Sequence, residues 1–112
     1  MHTTVISLRL DAIGKPCFNI PRAKIEESFY SDLIRVNGER VAKKSYEVRV
    51  DDVIDYIKGL NGEDRSKLDI TRVQILSVDD KAASSGRIRM SFRKTNGLTV
   101  DNYARDPYEG AL

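Results

Sequence analysis

The chain is poor in the side chains that carry most covalent chemistry. Its 112 residues include one cysteine, Cys17, and one histidine, His2. A lone cysteine excludes an intrachain disulfide, and with it the stapled scaffold of many small secreted proteins. One cysteine and one near-terminal histidine cannot supply the usual four ligands of a structural zinc site. They also argue against a Cys–His or Ser–His catalytic pair. No metal, no cofactor and no catalytic residue are therefore expected, and the chain reads as a non-enzyme. Cys17, beside Phe18, reads as a small buried hydrophobe rather than a reactive thiol.

Long apolar runs are missing too. None approaches the roughly 20 residues that cross a bilayer as a helix, so no membrane partner is expected. The opening segment MHTTVISLRL has neither the Arg- and Ser-rich amphipathic character of an organellar leader nor an apolar secretory core, so no targeting peptide is expected within it. No internal repeat and no low-complexity tract are visible. The length suits one compact domain, expected to be monomeric.

What is present is charge, unevenly placed. Charged residues make up 32% and hydrophobic residues 40%, with a net charge of only +2. That total says little about nucleic acid; the distribution says more. Residues 1–50 hold nine Lys/Arg against six Asp/Glu, whereas residues 51–112 hold ten against eleven. A further basic run, Arg87 to Lys94, carries four cations and no acid.

Periodicity and turn chemistry outline the elements. Val5, Ser7 and Arg9 alternate with Ile6, Leu8 and Leu10, which predicts a first strand. Asp11 is a candidate cap for a short helix that ends near Lys15 with the help of Pro16. Pro21 suits the start of a second helix to about Tyr30, with Ile25 and Phe29 on one side. Leu33–Val36 reads as a strand, followed by the hairpin signal Asn37-Gly38. Val41 and Tyr46–Val50 continue an extended pattern, and Asp51-Asp52 turns the chain into a strand from Val53 to Ile57. Gly59, Asn61 and Gly62 mark a loop. Ile70–Val78 is rich in β-branched residues, and Asp79–Gly86 reads as a hairpin loop. Beyond it Ile88, Met90 and Phe92 should face the core while Arg87, Arg89 and Arg93 face water. The predicted fold is α+β, with two short helices packed on a mostly antiparallel sheet extended by a C-terminal β-hairpin. Residues 1–95 form the expected domain, with its core in 9–58, and residues 96–112 read as an acidic, flexible tail.

Several of these features occur together in one order. They are Arg9-Leu10-Asp11, Arg22, Ile25, Ile34-Arg35-Val36-Asn37-Gly38, Lys44-Ser45, Val48 and Asp52-Val53-Ile54. Their order and spacing resemble the S-four RNA-binding domain, with its αL motif. Two positions depart from that pattern. Pro21 stands where serine is usual, and Asp51 stands where glycine is usual. Ser28-Phe29-Tyr30, Lys43-Lys44-Ser45 and a hairpin ending in Arg93-Lys94 extend the similarity, over residues 6–95, to the mitochondrial transcription rescue factor family.

The resemblance implies a protein of the mitochondrial matrix that binds structured ribosomal or transfer RNA on the large mitoribosomal subunit. It implies a part in rescuing stalled translation and maintaining mitochondrial transcripts, with a release-factor-like protein as a further partner. By the same resemblance Lys15, Arg22, Lys24, Arg35, Asn37, Lys43, Lys44 and Ser45 are the candidate RNA-binding residues. Arg9, Arg87, Arg89, Arg93 and Lys94 form a secondary set. The chemistry suits the role. Arg22 and Lys24 lie in the first turn of a helix, where free backbone N–H groups add to the positive charge. Arginine grips a phosphate through two bonds, and lysine acts as a point charge. Ser45 can donate to a phosphate or a 2′-hydroxyl.

Against this, most surface cations are merely solvated, and Glu26 and Glu27 can hold Lys24 in weak helix pairs. The aromatic residues are not spaced as a stacking platform, and Tyr46 reads as packed. Recognition through backbone and shape is therefore expected. Three other roles compete. One is a structural or assembly protein held permanently on ribosomal RNA. A second is an adaptor for a release factor or mitochondrial polymerase. An appended-enzyme role, known for S-four domains, fails on length.

Overall fold

The computed structural model describes residues 1–79 and 86–103. Strand β1 (His2–Val5) leads into helix α1 (Leu10–Ile13), a π-helical turn (Gly14–Phe18) and helix α2 (Arg22–Tyr30). Four strands follow: β2 (Ile34–Val36), β3 (Val53–Leu60), β4 (Lys67–Asp79) and β5 (Ile88–Asp101). The five strands form one antiparallel sheet in the order β1-β5-β4-β3-β2. The α+β class and the two short helices on an antiparallel sheet agree with the sequence.

The helices cover one face of that sheet. Leu10, Ile13, Cys17, Phe18 and Ile25 pack against Ile54, Val73, Ile75, Met90 and Phe92. Burying each such side chain contributes about 1.5–3 kcal/mol. Gly14 lets the helices meet, because a Cβ there would lie 2.2 Å from Ile25 Cγ1. Pro21 caps α2 without a side-chain bond; its carbonyl accepts from the Lys24 and Ile25 N–H groups. The hydroxyl lost at this position is not needed to start the helix.

Pro16 does not end the first helix. It sits inside the π-helical turn, whose wider backbone makes room for the proline ring. Asn19 ends the turn instead: with φ at 58°, its N–H reaches back to the Gly14 and Lys15 carbonyls. Asp11 is not a cap either. Its carboxylate turns inward and is buried.

Other elements shift from expectation. The first strand lies at His2–Val5, because Leu8 and Leu10 turn under the helices rather than continuing along the sheet. Residues 41–52 form an irregular strap and not an extended strand. Their neighbour is segment 8–11, which passes from one isolated bridge at Arg9 into the first residues of α1, bonded through Leu10 N to Tyr46 O (2.7 Å), Asp11 N to Lys44 O (3.1 Å) and Val48 N to Leu8 O (2.9 Å). At the strap's end Asp51 has φ of 73°, so it holds the left-handed turn that glycine usually occupies. Asn37 (φ 54°) and Gly38 (φ 81°) make the tight turn that the sequence announced.

The sheet also outruns the expected domain. β5 continues to Asp101, so residues 96–101 belong to the sheet and not to a tail. Leu98, Val100 and Tyr103 cover Ile57, Leu68 and Ile70, a second small core on the face away from the helices. The rest of the expected tail, 104–112, and most of the expected hairpin loop, 80–85, lie outside the described residues.

Candidate nucleic-acid interface

The irregular strap is what gathers the cations. Its backbone bonds to the start of α1 set Lys43, Lys44 and Ser45 beside Arg9 and the exposed side of α2. The centre of the arrangement is Asp11, whose side chain has no exposed surface. Arg9 approaches it through Nε (3.1 Å) and one terminal nitrogen (3.0 Å), and Arg22 through one terminal nitrogen (3.1 Å). Burial alone would raise the Asp11 pKa, but hydrogen bonds and charge from Arg22 and Arg9 outweigh it and hold the carboxyl below its ordinary value. The side chains of Arg9 and Arg22 remain 41% and 52% exposed. Each guanidinium also keeps N–H groups that Asp11 does not use.

Lys44 is held in a second way. Its Nζ lies 3.1 Å from Glu26 and 5.7 Å from the centre of the Tyr30 ring. The bond to Glu26 raises its pKa, so the ammonium stays charged. Lys43 is exposed, and its ammonium bonds no other described residue. Arg9, Tyr30, Lys43, Lys44 and Ser45 together line a depression of about 270 Å³. Lys24 stands in the first turn of α2, 3.9 Å from Glu27. Lys15 is exposed on the π-helical turn and bonds Asn19 at 3.1 Å.

The remaining candidates do not join this surface. Arg35 is a correction: it is 1% exposed, on the sheet face away from the helices. It pairs with Asp32 at 3.2 Å and lies 5.1 Å from the centre of the Tyr103 ring. In register it stands opposite Asp55, which in turn stands opposite Arg72 and is gripped by it at 2.7 and 3.0 Å. The three charges thus cross three neighbouring strands on one face. Tyr103 donates to Asp55 at 2.7 Å and closes the group.

Asn37 is a second correction, since its amide is spent on structure. Its Nδ2 donates to Asp52 (3.0 Å) and its Oδ1 accepts from the Val53 N–H (2.9 Å). In the secondary set, Arg87 reaches across to Thr4 on β1. Arg89 and Arg93 are exposed on the face away from the helices, while Met90 and Phe92 are buried as expected. Lys94 is half-buried on the helix side near Cys17. Burial pushes the Cys17 thiol up to about 12 against that cation, in keeping with a core residue.

Sequence reasoning missed two parts of this surface. One is Asp11 as the anchor of Arg9 and Arg22, although an acid between Leu10 and Ala12-Ile13 was a signal that it would be buried. The other is Tyr30, which is 73% exposed, and nothing in its spacing marked it.

A small α+β sheet domain, with a cluster of cations where its two helices meet a strap, is the class of protein that fold and surface define. Comparison with known proteins narrows this. The family described as mitochondrial transcription rescue factor 1, C-terminal domain, matches residues 1–102, and the chain belongs to it. The chain is 32% identical over 100 residues to the mitochondrial transcription rescue factor 1 of Mus musculus and 30% identical to that of Homo sapiens. These matches cover 89% of this chain and 41% of each relative, so the chain spans about two fifths of their length.

Proposed function

We propose that this domain binds structured RNA through the phosphate backbone and acts in mitochondrial gene expression. In this reading the RNA is ribosomal or transfer RNA on the large mitoribosomal subunit, in the matrix. The domain contributes to rescue of stalled translation and to maintenance of transcripts, without catalysis. The observation that carries the reading is the Asp11 anchor. A buried carboxylate fixes Arg9 and Arg22 while leaving much of both guanidiniums open, next to Lys43 and Lys44. Cations held in place lose little freedom on meeting a phosphate, and they position a backbone without reading bases. The names of the two relatives support the mitochondrial setting.

The test is crosslinking and sequencing of the RNA bound to the protein in mitochondria, paired with a salt titration in vitro. The Lys43→Ala/Lys44→Ala variant should bind the recovered RNA more weakly. Its log–log salt slope should be flatter by roughly 0.7–0.9 per lysine that neutralises a phosphate. An unchanged slope and affinity would remove this surface from consideration.

A further inference from the structure

Tyr30 is the most exposed large apolar side chain among the described residues, at 73%. It lies at the end of α2, on the rim of the cationic depression. Its ring is not loose. The Phe29 and Tyr30 rings stand nearly perpendicular, with centroids 5.6 Å apart and planes at 84°. The Lys44 ammonium stands 5.7 Å from its centre and is itself held by Glu26. Tyr30 also borders a second depression, of about 440 Å³, that Arg40 and Val41 help to line. Asp32, the acid in that depression, is bound by Arg35 and Arg40. A braced aromatic face is therefore set between two hollows, with Arg9 and Lys43 on one side and Arg40 on the other.

We propose that Tyr30 is a stacking site for one unpaired nucleobase of the bound RNA, with Lys43, Lys44 and Arg9 taking the phosphates beside it. The proposal rests on the RNA-binding reading and names the part of the RNA that this surface takes. A base inside a duplex has both faces covered by its neighbours, so an exposed ring gains nothing from it. A base in a loop, bulge or end has a free face, and stacking on an aromatic side chain is the usual way to hold one. The cations account for the flanking phosphates and the ring accounts for the base. An acidic peptide would use the cations but leave the ring idle. This departs from the shape-only recognition expected from the sequence, because the spacing of the aromatics could not show that one of them stands exposed among lysines.

The experiment compares two RNAs: a stem closed by an unpaired loop, and the same stem as a blunt duplex. Tyr30→Ala should weaken binding of the looped RNA by roughly tenfold, leaving its salt slope and the duplex affinity unchanged. Tyr30→Phe, which keeps the ring, should bind both as the parent does. The chain has no tryptophan, so Tyr30→Trp places a single reporter at the site. Its emission should be quenched by the looped RNA and not by the duplex. Equal affinity of Tyr30→Ala and the parent for the looped RNA would overturn the proposal. So would an equal loss on the duplex, or quenching by a poly-glutamate peptide as complete as that by the looped RNA. If Tyr30→Ala is neutral while Lys43→Ala/Lys44→Ala still weakens binding, stacking fails alone. If the lysine variant is also neutral, the RNA reading fails with it.

Discussion

Asp11 and Asp55 are both buried carboxylates held by arginines, yet they serve opposite ends. Asp11 lies where α1, α2 and the strap meet, and its two arginines are about half exposed. Asp55 lies on a sheet face between Arg35 and Arg72 and under Tyr103; the Arg35 side chain is only 2% exposed. In the first region a buried acid presents positive charge to the outside. In the second Arg35 is absorbed into the fold, while Arg72, which grips the acid, keeps 37% of its side chain exposed. Residue types are nearly the same, and what differs is the lid over one arginine. Solvent lies over Arg9 and Arg22, whereas Tyr103 lies over Arg35.

The comparison is open to breaking by variants of each region. The largest effect is expected from Asp55→Ala. It leaves Arg35, still paired with Asp32, opposite an alanine and the partly exposed Arg72 without its carboxylate, which should cost about 3 kcal/mol in urea unfolding. RNA affinity of the folded protein should not change, the reverse of the lysine double variant. An Asp55→Ala protein as stable as the parent would make the enclosed group no tighter than the open one.

Tyr103→Phe removes one hydrogen bond to a charged acceptor and should cost about 1.5 kcal/mol. It should also act on the alkaline side. Burial first, and the bond to Asp55 second, hold the Tyr103 phenol above its ordinary value. The unfolded chain therefore loses this proton at lower pH than the folded chain does. The stability involved is intact below the ordinary phenol value and declines as pH rises from there through the folded value. Tyr103→Phe should show a shallower alkaline decline in unfolding measured against pH. Part should remain, because Tyr46, half-buried and bonded to Asp52, is shifted the same way.

The smallest change is expected from Asp11→Asn, and it should appear mainly in acid. The Asp11 pKa is lowered in the fold, so its contribution is complete above the ordinary carboxylate value. It is lost as pH falls through the lowered folded value. The asparagine variant should flatten the acid limb of the stability curve. An unaltered acid limb would mean that Arg9 and Arg22 do not depend on this carboxylate for their position.

Much of the fold was legible in the residues. Pro21 marked the start of α2, Asn37-Gly38 marked a tight turn, and the alternation of Met90 and Phe92 with Arg89 and Arg93 told the inner from the outer side of a strand. These are local signals, with their cause within a few residues. The misreadings arose where a distant partner decided. Pro16 reads as a helix end until the wider π-helical turn around it is seen. Tyr46–Val50 reads as a strand until its neighbour turns into α1 after a single bridge. Leu98 and Val100 read as tail until β4 runs long enough to pair with them.

The candidate surface divides in the same way. Arg22, Lys43, Lys44 and Ser45 were found from their order along the chain, and the structure brings them together with Arg9. Arg35 was chosen for the same reason and is buried, and Tyr30 was passed over and is exposed. The chain by itself determined the class of the domain and the positions of its cations, because turn chemistry, periodicity and motif spacing are written in neighbouring residues. Only the tertiary structure decided which cations face solvent. Exposure depends on what packs above a side chain, and here the covering residue, Tyr103, comes from 68 positions further along the chain than Arg35.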